Sequence, residues 1–119
     1  MPTVLLVDDS PVVRLAVARR LEAEGFRVHE ASSAAAALNS DASGLTCAIL
    51  DLELLDGTGS DLAAALLGKR ASLPIAFFTA GAPSTVLERA RSQGPVFHKP
   101  DVEGLVEWAK RAAHPPPTK

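Results

Sequence analysis

Cysteine occurs once in the 119 residues, at Cys47. A lone cysteine excludes an intrachain disulfide. Its place in the apolar run Leu45-Thr46-Cys47-Ala48-Ile49-Leu50 reads as that of a small core residue. No histidine stands in a motif beside it to generate a nucleophilic thiolate. No apolar stretch in the chain is long enough to span a bilayer. The opening segment, Met1 to Val7, has no basic region and runs directly into acidic residues, which is not the pattern of a signal peptide. A reduced, cytoplasmic setting without membrane contact is therefore expected. The formal net charge of −2 gives no basic footprint, so direct nucleic-acid binding is not expected. No glycine-rich phosphate loop or dinucleotide fingerprint follows the first apolar run. His29, His98 and His114 lack metal-ligand spacing.

What the chain does contain is an alternation of short apolar runs with longer helical stretches. The runs are Val4 to Val7, Arg27 to Ala31, Ala48 to Leu50, Ile75 to Phe78 and Val96 to His98. Continuous apolar runs bounded by turn residues suit strands buried on both faces of a parallel sheet. The first helix is predicted after Ser10, a good N-cap, with Pro11 at its first position. Val13, Val17 and Leu21 form its core stripe, and Gly25 ends it. A step of two residues turns about 200° around a helix, which places Leu15 opposite that stripe, among Arg14, Ala18 and Arg19. Further helices are predicted over Ser33 to Leu38, from Ser60 to Gly68, between Pro83 and Gly94, and over Val102 to Ala113. On the last of these, Trp108 is expected to pack against the sheet. Pro115-Pro116-Pro117 forbids continuation. The length and pattern give one domain over residues 1–113, with 114–119 a proline-rich tail or the start of a linker. Five βα units in a row predict an α/β fold: a doubly wound, five-stranded parallel sheet with helices on both faces. Ligands bind such sheets beyond the carboxyl ends of the strands.

Polar residues stand at those ends. Asp8 and Asp9 follow the first run, Asp51 the third, Thr79 the fourth, and Lys99 with Pro100 the fifth. Three gathered carboxylates repel one another by about 4 kcal/mol per pair at 4 Å and an effective dielectric of 20. A hard divalent cation such as Mg²⁺ relieves this and also takes phosphate oxygens. An aspartate can act as nucleophile to give an aspartyl phosphate. A lysine ammonium suits a phosphoryl oxygen, and a threonine hydroxyl can donate to another.

The set Asp8-Asp9, Asp51, Thr79 and Lys99-Pro100, in this order and spacing, resembles the receiver domains of bacterial response regulators over the whole chain. The resemblance implies a flavodoxin-like strand order, 2-1-3-4-5, and a phosphorylation-dependent switch in a two-component phosphorelay. It implies Asp51 as phosphoacceptor, with Thr79 as hydroxyl switch residue and Lys99 contacting the phosphoryl group. Asp8, Asp9, Asp51 and the backbone carbonyl of Glu53 would hold Mg²⁺ or Mn²⁺. Gly59 matches the glycine before the third helix. The phosphodonor would be a histidine kinase or a histidine phosphotransfer protein, with an unknown downstream protein as target. Leu15 and Pro100 would belong to the partner-docking surface. Such a chain is not a metabolic enzyme: it promotes only its own phosphorylation and dephosphorylation.

The chain also departs from that family. Leu55 stands where many receivers have proline, and Asp101 where an apolar residue is common. Val96 stands three residues before Lys99, where most have tyrosine or phenylalanine. Phe97 is adjacent, but strand alternation points it to the other face. The stretch from Gly94 to Lys99 is about two residues shorter than usual. These changes gather on the usual output face. Glu53 and Gly81 flank the expected path of hydrolytic water and should influence phosphoryl lifetime. Each site residue also has a plainer reading: Asp8 and Asp9 as a helix-capping turn, Thr79 as a turn residue, His98 as solvated, and Asp51 with Lys99 as a structural ion pair. A phosphorylation-independent interaction module is the alternative function. A haloacid-dehalogenase-type phosphatase would need a second Asp two residues after the nucleophile, where Glu53 stands.

Overall fold

The computed structural model describes residues 1–114; the expected tail beyond His114 lies outside them. Among the described residues seven strands and five helices follow one another. They are β1 (Thr3–Val7), α1 (Pro11–Ala23), β2 (Arg27–Ala31), α2 (Ala34–Leu38), β3 (Cys47–Leu50), β4 (Glu53–Leu54), β5 (Gly57–Thr58), α3 (Gly59–Lys69), β6 (Ile75–Thr79), α4 (Ser84–Gln93), β7 (Val96–His98) and α5 (Val102–Ala113). A short 3-10 turn, Ala42–Gly44, precedes β3.

Five strands form the main sheet in the order β2-β1-β3-β6-β7, and every pairing in it is parallel. Counted along the chain as the first to fifth main strands, this is the expected flavodoxin-like order 2-1-3-4-5. The central strands are buried on both faces, which is why they read as unbroken apolar runs. Their side chains alternate between two cores. Leu5 and Val7 of β1, Ala48 and Leu50 of β3, and Ile75 and Phe77 of β6 meet α2, α3 and α4 through Ala37, Leu62, Leu66 and Ala90. Val4, Leu6, Cys47, Ile49, Ala76 and Phe78 meet α1 and α5 through Val17, Leu21, Leu105 and Ala109. Cys47 is fully buried, and desolvation pushes its thiol up to about 12, so it is a core residue. Trp108 packs on the α1/α5 side as expected.

The helix ends follow the expected chemistry. The Ser10 hydroxyl accepts the Val13 amide and Pro11 opens α1. Ser33 caps α2 through the Ala36 amide, and Asp101 caps α5 through the Gly104 amide. One side chain departs from expectation: Ala18, placed by helical spacing on the outer side of α1, is buried beside Val17 and Leu21. Its small size lets α1 settle closely on the sheet, so the buried stripe is wider than one residue in four.

Candidate functional site

The sheet delivers the acidic residues to one edge by register alone. Asp51 directly follows β3 and its amide donates to the Val7 carbonyl (2.9 Å), so its backbone is locked beside the end of β1. Asp8 directly follows β1, and its amide donates to the Ala31 carbonyl at 3.2 Å. Thr79 is the last residue of β6 rather than the first beyond it. The Lys99 amide donates to the Thr79 carbonyl at 2.8 Å, which brings Lys99 to the same edge. The Lys99–Pro100 peptide is cis. Gly59 opens α3 instead of preceding it. A Cβ at this position would overlap the Asp51 carbonyl oxygen, so only glycine lets α3 start this close to the strand end.

Asp8, Asp9 and Asp51 each offer a carboxylate oxygen, and these lie within 4.8 Å of one another. Asp8 and Asp51 are buried, at 2% and 7% exposure; Asp9 is half-buried. The Lys99 ammonium pairs with Asp8 Oδ2 at 2.9 Å and donates to Asp51 Oδ2 at 3.3 Å. The remaining oxygens of these two acids are also engaged. Asp8 Oδ1 accepts the Ser10 amide at 2.9 Å, and Asp51 Oδ1 accepts the Glu53 amide at 3.2 Å. Burial, and then the negative charge of Asp8, raise the Asp51 carboxyl above its ordinary value; the Glu53 amide and Lys99 only partly offset them. For Lys99, desolvation is the largest single influence and lowers its value. The hydrogen bond to Asp8 and the charges of Asp51 and Asp8 together outweigh it, so its ammonium is held above the ordinary range.

A cavity of about 340 Å³ opens over these groups, lined by Asp9, Asp51, Glu53, Leu54, Leu55, Thr79 and Lys99 among others. Thr79 is buried, and its hydroxyl closes a local turn: it donates to the Gly81 carbonyl and accepts the Gly81 amide, both at 3.2 Å. Glu53 and Gly81 both line the cavity. Leu55 at its rim is 89% exposed. Leu15 (50% exposed) and Val12 (76%) lie on the open side of α1. Pro100 and His98 are also exposed.

Three carboxylates against one ammonium leave a surplus of negative charge. The donor atoms are all hard oxygens, so the set fits a divalent cation of the Mg²⁺ or Mn²⁺ type. Sequence reasoning placed every one of these acids and the lysine. It missed the β4–β5 hairpin behind Asp51, in which Glu53 pairs with Thr58 and Leu54 with Gly57. It also missed that Asp56, in the loop of this hairpin, accepts the Ala34 and Ala35 amides at 2.9 and 3.0 Å and so caps α2 from a distance. The Asp56-Gly57 pair is a turn signal that marks the hairpin; nothing local marks the long-range cap.

A flavodoxin-like α/β domain carrying an acid triad and a lysine at the carboxyl edge of its sheet defines a narrow class of proteins. The response regulator receiver domain model matches residues 4–100, and the chain belongs to this family of two-component signalling domains. Among solved structures, the non-phosphorylated HemR receiver domain from Leptospira biflexa is 28% identical. It superposes with a TM-score of 0.87, over 100% of this chain and 99% of that one. TrrA from Thermotoga maritima, in complex with Mg²⁺-BeF, is 25% identical with a TM-score of 0.84, over 94% of this chain and 99% of that one. A CheY-like receiver domain protein from Methanospirillum hungatei is 23% identical with a TM-score of 0.85, over 95% and 94% of the two chains, and is alike in fold. No curated protein matches the chain in sequence. Among the described residues no helix is long and apolar enough to cross a membrane.

Proposed function

We propose that this receiver domain is a phosphorylation-dependent switch that takes a phosphoryl group onto Asp51. The observation that carries this reading is the buried Asp51 carboxylate, held beside Asp8 and Asp9, 3.3 Å from the Lys99 ammonium, under an open cavity. Asp8, Asp9, Asp51 and the backbone carbonyl of Glu53 would hold Mg²⁺ or Mn²⁺, as the family resemblance implies and as the Mg²⁺-BeF complex of TrrA supports. A divalent ion held there would neutralise charge on phosphoryl oxygens.

The chain's own residues supply the rest. An Asp51 oxygen forms the new bond to phosphorus while the bond from phosphorus to the donor's imidazole nitrogen breaks, and the imidazole takes a proton from solvent. Lys99 stays protonated, because its two acid partners hold its value up, and pairs with a phosphoryl oxygen. Thr79 donates its hydroxyl to another once its turn with Gly81 opens. Water later cleaves the acyl phosphate at phosphorus, which restores the carboxylate and releases inorganic phosphate. Glu53 and Gly81 line the path of that water and influence the lifetime. The donor is a histidine kinase or histidine phosphotransfer protein that docks around Leu15 and Pro100, and the phosphorylated form acts on a downstream protein. The domain works in the cytoplasm and turns over no metabolite.

Intact-protein mass after incubation with acetyl phosphate or phosphoramidate tests this reading. A single phosphoryl adduct is expected with Mg²⁺, absent with chelator and absent in Asp51→Asn. No adduct from either donor, or an adduct that survives in Asp51→Asn, would refute it.

A further inference from the structure

Arg14 approaches the acidic edge from the side opposite Lys99. It closes the first turn of α1, and helical side chains lean back toward the helix N-terminus. Its Nη1 donates to the backbone carbonyl of Asp8 at 2.6 Å, and its Nε pairs with Glu30 Oε1 of β2 at 3.3 Å. The side chain is only 18% exposed. A carbonyl accepting a charged donor makes a strong and well-directed bond. Glu30 pairs with the guanidinium at Nε, away from the nitrogen that binds the Asp8 carbonyl, and so favours this placement of the planar fork.

The Asp8 carbonyl and the Asp9 amide share one rigid peptide plane. Fixing that carbonyl therefore sets the orientation in which the chain enters Asp9. This matters because the two acids are held differently. Both carboxylate oxygens of Asp8 are already bonded, to the Ser10 amide and to Lys99. Among the described residues the Asp9 carboxylate has no hydrogen-bond donor, so its backbone alone aims it into the cavity it lines.

We propose that Arg14 is a positioning residue of this site: by holding the Asp8–Asp9 peptide from α1, with Glu30 as its anchor, it aims the Asp9 carboxylate at a bound divalent cation. This rests on the reading of Asp8 and Asp9 as metal ligands. Arg14 carries a positive charge near a cation site, so electrostatics alone makes its removal tighten Mg²⁺ binding. Positioning makes the opposite demand, and the two carry different signs.

The experiment is calorimetric titration of Mg²⁺ into the 119-residue chain and into Arg14→Met, Arg14→Lys, Glu30→Gln and Asp9→Asn, with unfolding in chelator measured alongside. Arg14→Met keeps the apolar stem and loses the donors. It is expected to raise the Mg²⁺ Kd about tenfold, in the range found when groups that orient metal ligands are removed. Arg14→Lys, which keeps a charged donor, is expected to recover part of that loss, and Glu30→Gln to show a smaller loss of the same sign. An unchanged or tighter Kd in Arg14→Met, with wild type binding Mg²⁺ and Asp9→Asn impaired, overturns the proposal and leaves the acidic site standing. Should Arg14→Met fail to fold, Arg14→Lys decides: it keeps the charge, so electrostatics alone predicts no change, and a Kd equal to that of wild type overturns the proposal. No Mg²⁺ binding by wild type overturns the metal-site reading itself, and this proposal with it.

Discussion

Replacing Asp51 by asparagine should make the metal-free protein more stable, although it removes the group on which the proposed function depends. The carboxylate oxygens of Asp8, Asp9 and Asp51 lie within 4.8 Å of one another. At an effective dielectric of 20, two unit charges at that distance repel by about 3.5 kcal/mol, so ionised Asp51 meets about 7 kcal/mol from its two neighbours. Lys99, 3.3 Å away, returns about 5 kcal/mol on the same footing. The remainder, about 2 kcal/mol, acts against the charged form, and burial adds to it in the same direction. Asparagine keeps an oxygen for the Glu53 amide and carries no charge. In chelator, Asp51→Asn should therefore unfold at a midpoint roughly 8 °C above wild type, the equivalent of about 2 kcal/mol in a chain of this size. Because the folded-state value of Asp51 is raised, its stabilising, protonated form is fully present below the ordinary value of 3.8. That stability is lost as pH rises through the raised value. The gap between variant and wild type should accordingly be full near neutral pH and close on acidification. Excess Mg²⁺ should narrow or reverse it, since a ligand at a hundred times its Kd adds about 2.7 kcal/mol to the form that binds it. Calorimetry or urea unfolding across pH, with chelator and with Mg²⁺, reads all three effects. A variant less stable than wild type in chelator, or a gap indifferent to pH, would show that the charge argument is wrong.

Gly59→Ala forces a Cβ against the Asp51 carbonyl oxygen, so α3 or the end of β3 must shift. A loss of about 1–3 kcal/mol is expected in urea unfolding, with weaker Mg²⁺ binding because Asp51 moves; a neutral substitution would mean that the close approach is not real. Asp56→Ala removes the acceptor for the Ala34 and Ala35 amides, and hydrogen exchange in α2 should quicken while that in α5 does not. The Ala34 and Ala35 amides hold the Asp56 carboxyl below its ordinary value. Its contribution should thus be complete above pH 3.8 and disappear as pH falls through the lowered value. Protection of α2 in wild type should show that acid step, and Asp56→Ala should not.

Most of the fold was legible because the central strands are buried on both faces and the helices carry local caps. β2, β7 and α5 run over the very residues that periodicity marks, and Ser10 caps α1 where spacing puts it, while Ser33, expected inside the second helix, stands just before it as its cap. The acid site was legible for a related reason: in a parallel sheet, the residues after successive apolar runs meet in space whatever their distance in sequence. What escaped has no period or depends on tertiary contact. β4 and β5 are two residues each, too short for alternation to register. Ala18 is buried because its small side chain allows close packing, a property invisible in a stripe of large residues. Arg14 reads as a surface charge, since its partner at the site is a backbone carbonyl and carries no residue signature.

Under the proposed function, the path out of the site must differ from one in which an aromatic ring turns with the switch hydroxyl. Val96 packs on the α2/α3/α4 side and Phe97 on the α1/α5 side, so Phe97 does not stand in for the missing ring. A valine has one stiff torsion and no ring to move. The parts that would move are instead the Thr79–Gly81 turn and α4 beyond it. Only Ala90 of α4 is buried. The helix is tied to α3 by the Arg89–Asp61 pair at 2.7 Å and by Gln93 Nε2 donating to the Ser60 carbonyl at 3.0 Å. Exposed ion pairs of this kind contribute at most about 1 kcal/mol. A phosphoryl group that draws the Thr79 hydroxyl from its turn biases an equilibrium only by its different affinity for the two arrangements. A helix held by Ala90, Val86 and Leu87 on the core and by two polar ties, and reached directly through that turn, would require only a modest difference of this kind. Under the proposed function the output surface would therefore be carried by the placement of α4 as a whole, with Val96 as packing behind it.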